Sequence, residues 1–464
     1  MTALAGAAPP NDRHDRAFLG HPKGLGYLAF AEGWERFSYY GMQTLLVLYM
    51  VKQLLLPGHV GDVAGFAAFH AWLEGLYGPL SGQALASAIF GLYAGLVYLT
   101  PLFGGLLADR LLGKTATITL GAILMAAGHF AMAFDWSFLI ALALLLAGVG
   151  CFKGNLAAQI GELYAPGDLR RADAFQIYYL AINAAVIISP LICGTLGELW
   201  GWHYGFGAAG VGMLVGLAVY LSGRRWLPAD APIVRGERAA RTPMTPAEKQ
   251  TVGLLVALVP VLAAGVIGNQ EIFNAYLVWG EANYDFVLFG LTVPTTWLVT
   301  LDAIVSVSFL LLTVLFWRWW AKRRPEPAEI TKIMLGTFIS VGAMLALAAA
   351  SALAAATGDK VSLLWALLFH TLNSIGFANV LPVSLALYAR ASPRAVAGTM
   401  IAVYYLHLFG GNMAVGKLGG LLEKMPAVQF WLLHAAILVA SGVILFLARA
   451  LFGHLLQPGE SDPA

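Results

Sequence analysis

Three ionisable residues crowd one short stretch of the chain, Ala31-Glu32-Gly33-Trp34-Glu35-Arg36-Phe37-Ser38-Tyr39-Tyr40-Gly41. On a helix, positions 32, 35, 36, 39 and 40 lie three or four residues apart and form one polar stripe. Two carboxylates, a guanidinium and two phenols on one face can hold an ion and exchange protons. A charge inside a membrane helix costs at least about 2.5 kcal/mol, so this stripe must face protein or water rather than lipid. Lys153, in Cys151-Phe152-Lys153-Gly154-Asn155, is the natural electrostatic counterpart to Glu32 or Glu35. Glu271, Asp302, His370 and His407 also fall in apolar surroundings. The two acids are candidates for the acidic side of an internal cavity, and the two histidines read as satisfied polar residues. The bland alternative, that all these charges only hold helices together, stands beside the chemical one.

The elements that must position these groups are membrane helices. Of 464 residues, 59% are hydrophobic and 11% charged, and the mean hydropathy is +0.75. A soluble domain, with about 25% charge, could not cover its surface with this composition. Apolar windows fall near 24–53, 80–107, 115–134, 137–163, 173–200 and 204–223, then near 251–280, 293–317, 330–356, 361–389, 395–422 and 427–452. Each is long enough to cross a bilayer, giving an all-α polytopic membrane protein with twelve transmembrane helices. The stretch 224–250 is rich in charge and proline and reads as a cytoplasmic linker between a six-helix bundle at 24–223 and another at 251–452, with tails at 1–23 and 453–464. Thr245-Pro246-Ala247-Glu248 carries an N-cap, a proline at the first helical position and an acid in the first turn, so the seventh helix starts there.

Charge bias sets the orientation. Twenty-one of the 27 basic residues fall on the side holding both termini, the linker and the loops at 110–114, 170–171 and 318–332. Lys52, Lys360, Lys417 and Lys424 fall on the other, and Arg36 and Lys153 within the membrane. Both termini are therefore expected in the cytoplasm. The first 23 residues carry no short apolar core before a cleavage site, so the first helix serves as its own signal. Cys151 and Cys193 lie in apolar segments and read as packing residues. A net charge of +2 advertises no nucleic-acid partner. HExxH, CxxC, GxxxxGK[ST] and GxSxG patterns are all missing, so neither an enzyme, a metal site nor a cofactor is expected.

Gly104-Gly105-Leu106-Leu107-Ala108-Asp109-Arg110-Leu111-Leu112-Gly113-Lys114, at the loop after the second helix, resembles the signature of the major facilitator superfamily. Its glycines allow close helix approach, and Asp109 with Arg110 can form a cytoplasmic gate. Glu32-x-x-Glu35-Arg36-Phe37-x-Tyr39-Tyr40-Gly41 resembles the first-helix signature of the proton-coupled oligopeptide transporter family. Phe152-Lys153-Gly154-Asn155 and Phe175-x-x-Tyr178-Tyr179-x-x-Ile182-Asn183 with Pro190 agree in the expected order. The likeness is strong over residues 24–200 and rests mainly on topology from 250 to 452.

The resemblance implies a major facilitator fold and symport of di- and tripeptides with protons by alternating access about a midplane cavity. It implies that Arg36 and Lys153 hold a peptide carboxylate, with Tyr39, Tyr40, Tyr98 and Asn183 lining the cavity. Glu32 and Glu35 would pair with Lys153 and couple proton binding to the two access states. The chain departs from the family at several places. Gln43 stands where a second arginine is usual, and Asn269 where its seventh-helix glutamate partner is usual, so both members of one ion pair are neutral amides. Glu271 is then the neighbouring acid. No acid precedes Pro382 in the tenth helix; His370, Asn373 and Asn379 are the polar groups there. Gly91 replaces the animal-type histidine of the second helix, and Tyr404 an eleventh-helix tryptophan. The linker has no room for the two extra helices of many bacterial members. The expected protein is a monomer in a bacterial inner membrane that binds peptide and protons. A non-peptide anion or zwitterion is the alternative substrate, because the amine-binding glutamate is missing.

Overall fold

A computed structural model describes residues 15–80, 82–165, 167–230, 244–288 and 290–456. Arg13, Arg235, Arg238 and Arg241, together with linker residues 231–243 and the outermost residues 1–14 and 457–464, lie outside the described residues. The described chain is almost wholly helical: α1 Lys23–Tyr49, α2 Phe66–Tyr77, α3 Gly82–Leu107, α4 Lys114–Ala131, α5 Phe138–Glu162, α6 Arg170–Ser189, α7 Thr195–Trp200 and α8 Trp202–Gly223. Then come α9 Pro246–Gln270, α10 Ala275–Asn283, α11 Trp297–Ala321, α12 Glu329–Thr357, α13 Leu364–Ala391, α14 Ala397–Gly419 and α15 Ala427–Phe452. A two-residue hairpin pairs Val287–Leu288 with Leu291–Thr292. With α6 and α7 joined through the wide turn Pro190–Gly194, twelve helical segments reach membrane-spanning length among the described residues. Nine of these are also apolar enough by composition alone. The polar stripe of α1 keeps it out of that set.

The apolar windows predict the spans to within a few residues, with two differences. The short helix α2 lies between the first two spans, where the sequence pattern gives no element. The window at 251–280 is broken: α9 ends at Gln270, a 3-10 turn covers Glu271–Phe273, and Asn274 sits at φ −127°, ψ −114° before α10 begins. Hydropathy has no signal for this break because apolar residues continue on both sides. The start of α9 matches the sequence reading: the Thr245 hydroxyl accepts from the Glu248 N–H at 3.2 Å, and the Glu248 carboxylate accepts from the Thr245 N–H at 2.7 Å.

The helices divide into two compact units. The first holds residues 1–45, 58–66 and 99–236; the second holds 46–57, 67–98 and 237–464. In the first, glycines seat α1 and bring α3 to α5. A Cβ at Gly41 would meet Cys193 Sγ at 2.6 Å and one at Gly212 the Phe37 ring of α1 at 2.6 Å, while one at Gly104 of α3 would meet the Gly150 carbonyl oxygen of α5 at 1.9 Å. Small residues let helices approach to backbone distance where lipid provides no hydrophobic drive. In the second unit, α12 and α13 meet likewise at Gly376, whose Cβ would lie 2.0 Å from Ser340 Oγ. There also the Gly91 backbone lies against Gly416, and the Lys52 ammonium pairs with Glu281. Leucines such as Leu180, Leu311 and Leu451 point outward, as the lipid face of a membrane bundle requires. Cys151 and Cys193 are free and buried.

Candidate functional site

The polar stripe of α1 folds inward. Glu32, Glu35 and Arg36 are 1%, 0% and 3% exposed. Arg36 takes both acids: its Nε lies 3.2 Å from Glu32 Oε1, and its Nη2 donates to Glu35 Oε1 at 2.7 Å while Nε pairs with the other Glu35 oxygen. The guanidinium also lies over the Tyr39 ring, 5.1 Å from its centre, and Tyr39 packs edge-on against Tyr40. Helix periodicity places the Glu32–Arg36 pair one turn apart on the same helix. Glu32 Oε2 is buried and has no hydrogen-bond partner among the described residues.

Lys153 reaches this cluster from α5. It is half-buried and within electrostatic range of Arg36, Glu35 and Glu32. Arg36 makes close ion pairs with both acids, and Lys153 stands in electrostatic range of the same pair. Asn155 holds α5 in register, donating to the Gly104 and Cys151 carbonyls at 3.2 and 2.8 Å. This tie between α3 and α5 gives the Gly154-Asn155 end of that motif a structural role. Tyr178, from α6, is buried against Glu32 and Arg36. It lies within a quoted motif but carried no predicted role. Asn183, one turn on from Tyr179, spends its amide donor on the Tyr179 carbonyl at 2.8 Å.

The remaining candidates, apart from Asp109 and Arg110, lie in the second unit. Asp302 on α11 accepts from or donates to His370 Nδ1 at 3.0 Å, and His370 Nε2 meets the Tyr276 hydroxyl at 2.9 Å. Asp302 is 14% exposed and His370 fully buried, so the three side chains form a path from a partly open carboxylate into the interior. Glu271, at the break after α9, meets His434 of α15 at 3.2 Å. Asn379 accepts from Trp317 Nε1 at 2.8 Å and donates to the Ile375 carbonyl at 2.9 Å. The Tyr404 hydroxyl donates to the Leu381 carbonyl at 2.9 Å inside an apolar cluster that Tyr98 also packs against. Asp109 and Arg110 lie exposed in the turn after α3, with no ion pair within 4 Å among the described residues.

Sequence reasoning missed His434 and Tyr276. Each sits in an apolar run, which is the only local signal, and the partners are 163 and 94 residues away in the chain. A cleft of about 660 Å³ beside α11 and α13, lined by Phe286, Trp297, Leu301, Leu367 and Lys360, contains none of the candidate site residues. Among the described residues, no cluster of three potential metal ligands occurs.

The arrangement can do one kind of chemistry well. Buried acids share a cation, one acid oxygen is open, and a second cation stands near, so adding a proton redistributes the pairing. The model of the POT family (PTR2) matches residues 115–237. A peptide transporter of Yersinia enterocolitica, YePEPT, is 28% identical over 93% of this chain and 95% of its own length. A di-/tripeptide transporter of Lactococcus lactis subsp. cremoris is 29% identical over 94% and 97%. A crystal structure of a peptide transporter POT in complex with sulfate superposes with a TM-score of 0.81 at 24% identity, covering 96% of this chain and 98% of the other. That likeness gives the fold, a major facilitator architecture of twelve membrane helices in two six-helix bundles. With the first-helix cluster and the near full-length relatives, this membrane protein is similar to the transporters of the POT family over most of its length.

Proposed function

We propose that the chain is a proton-coupled symporter that takes up di- and tripeptides by alternating access. The observation that carries this is the buried cluster of Glu32, Glu35 and Arg36 with Lys153 in range. Removing an ion-pair partner in low dielectric leaves an uncompensated charge, so the cluster favours states in which charges match. With both carboxylates ionised, Arg36 is fully engaged. Protonation of Glu32 or Glu35 leaves cationic charge uncompensated on Arg36 and Lys153, which a peptide carboxylate then satisfies. Proton and substrate thus favour each other's binding, as symport requires. Tyr39, Tyr40, Tyr98, Asn183, Asn379 and Tyr404 are proposed as polar groups toward the substrate. Glu271 and Asp302 are the proposed proton-coupling acids of the second unit, and Asp109 with Arg110 the gate. The protein works as a monomer in a bacterial inner membrane with both termini in the cytoplasm.

Uptake of labelled di-alanine into proteoliposomes tests this reading. It is expected to require an inward proton gradient, to be lost in Lys153→Ala, and to lose its gradient dependence in Glu35→Gln. A Glu35→Gln protein with undiminished gradient-driven uptake would remove Glu35 from the coupling scheme. A second reading, transport of a non-peptide anion or zwitterion, is favoured by one observation. Phe377 and Val380 offer no acid before Pro382, and the Asn379 amide is already engaged with Trp317 and Ile375. No di-alanine uptake by folded protein, with uptake of a small anion instead, would establish it.

A further inference from the structure

Glu271 and His434 are both fully buried, and their hydrogen bonds leave one proton to account for. His434 Nδ1 lies 2.8 Å from the Phe430 carbonyl, which can only accept, so Nδ1 carries a hydrogen. The other ring nitrogen, Nε2, faces Glu271 Oε1 at 3.2 Å. Glu271 Oε2 accepts the Ala275 N–H at 3.1 Å. A lone pair on Nε2 and a lone pair on Oε1 cannot face each other at that distance, so a proton lies between them. The pair is then either a carboxylic acid with a neutral imidazole or a carboxylate with an imidazolium. Both forms are neutral overall and contain the same proton.

We propose that Glu271 and His434 form a one-proton site that pins the joint between α9 and α10 to α15, and that release of this proton frees the joint during transport. This rests on the proton-coupled reading above and names a residue, His434, to which that reading gives no role. The joint is where the membrane helix leaves helical geometry, at Asn274, and Glu271 Oε2 holds the first N–H of α10. On release, the bond broken is H–O or H–N within the pair and the proton passes to water. A single negative charge stays behind on Glu271. It cannot remain in a fully buried site without a cation, so water or movement of the joint must meet it.

Among the described residues, no other ionisable group on the packed elements is placed to share this proton. The rings of Phe430 and Trp431 flank the imidazole at 4.4 and 5.6 Å. Met344 of α12 and Leu438 of α15 close on Gly268 just before the joint. On α10, Tyr276 is bonded to His370 and Glu281 to Lys52. On α14, His407 turns its Nδ1 to the Tyr404 carbonyl and Lys417 is exposed. Glu423, in the turn that follows, accepts from the Gln83 N–H, and Lys424 is exposed. Glu329 and Lys332, at the start of α12, pair with Arg390 and Glu326. Glu248 and Lys249 begin α9 at its far end, and Arg449 ends α15 exposed.

The test is an infrared pH titration of the full chain in lipid, with the protonated-carboxyl band assigned by its loss in E271Q. In that variant the amide can donate to Nε2 and still accept from Ala275, so packing is kept without a carboxyl that can gain or lose a proton. The band, or its imidazolium equivalent assigned by loss in H434Q, is expected to titrate as one proton. H434Q should shift the remaining carboxyl midpoint by about one pH unit or more, a tenfold change in proton affinity. Both variants should lose gradient-driven accumulation of di-alanine. A pair that holds its proton at every pH at which the protein stays folded, or variants with an unchanged pH profile of uptake, would make this a fixed structural hydrogen bond and overturn the proposal. Should the wild-type protein not carry di-alanine at all, the peptide reading fails, and the titration still decides the proton site by itself.

Discussion

Arg36 makes close ion pairs with two carboxylates of its own helix while almost fully removed from solvent. Deleting it strands two buried negative charges, which is expected to cost about 3–5 kcal/mol of stability. Arg36→Ala should therefore lower the thermal unfolding temperature as well as abolish uptake. Arg36→Lys should recover part of the stability and little of the transport, because an ammonium keeps the charge but not the fork that meets Glu35 at two points. Thermal denaturation in detergent set beside uptake separates the two effects. At this scale the sequence was informative where partners share a helix. Glu32 and Arg36 are four residues apart, so periodicity alone puts them together. Lys153 was also assigned to the right neighbourhood, from charge balance and family likeness. The pairs His434 with Glu271 and His370 with Asp302 span 163 and 68 residues. Nothing in a linear pattern ranks such partners above any other polar residue in an apolar run.

The elements were legible through hydropathy, since a membrane helix must be apolar over most of its length and end at polar breaks. The start of α9 was legible because a capping box is chemistry between adjacent residues. The break between α9 and α10 was not, because it is fixed by tertiary bonds: the Asn274 amide donates to the Val415 carbonyl at 3.4 Å, and Glu271 is drawn to His434. The major facilitator loop glycines act at this scale too. A Cβ at Gly104 would fall 1.9 Å from the Gly150 carbonyl oxygen, whereas nothing lies within 4 Å of the Cβ position at Gly105. Gly104→Leu is expected to push α3 from α5 at a cost of about 1–3 kcal/mol or more, and Gly105→Leu to be nearly silent. Thermal unfolding of the two variants side by side checks this. Equal losses would mean that the motif is not acting through helix approach.

On the scale of the whole molecule, charge distribution gives the sharpest prediction. With 21 of 27 basic residues assigned to one face, a short tag at either terminus should resist protease in right-side-out vesicles and be cut in inverted ones. One terminus cut in each orientation would overturn the even number of crossings. The two compact units carry a feature that the sequence left unassigned. The end of α1, α2 from Ala67 on and most of α3 fall in the second unit rather than with the rest of the first six spans. Within that unit, Gly91 of α3 lies against α14 so closely that a Cβ would meet Gly416 Cα at 2.4 Å and the Asn412 carbonyl oxygen at 2.5 Å. This contact bears on how the chain could change over time. Related transporters of animal type carry a histidine at the matching place, yet one codon change to histidine here would drive an imidazole into a neighbouring backbone. The contact would first have to be loosened from the α14 side, at Gly416 or Asn412. The order of mutations is thereby constrained, and a proton-binding group at position 91 is out of reach by any single step.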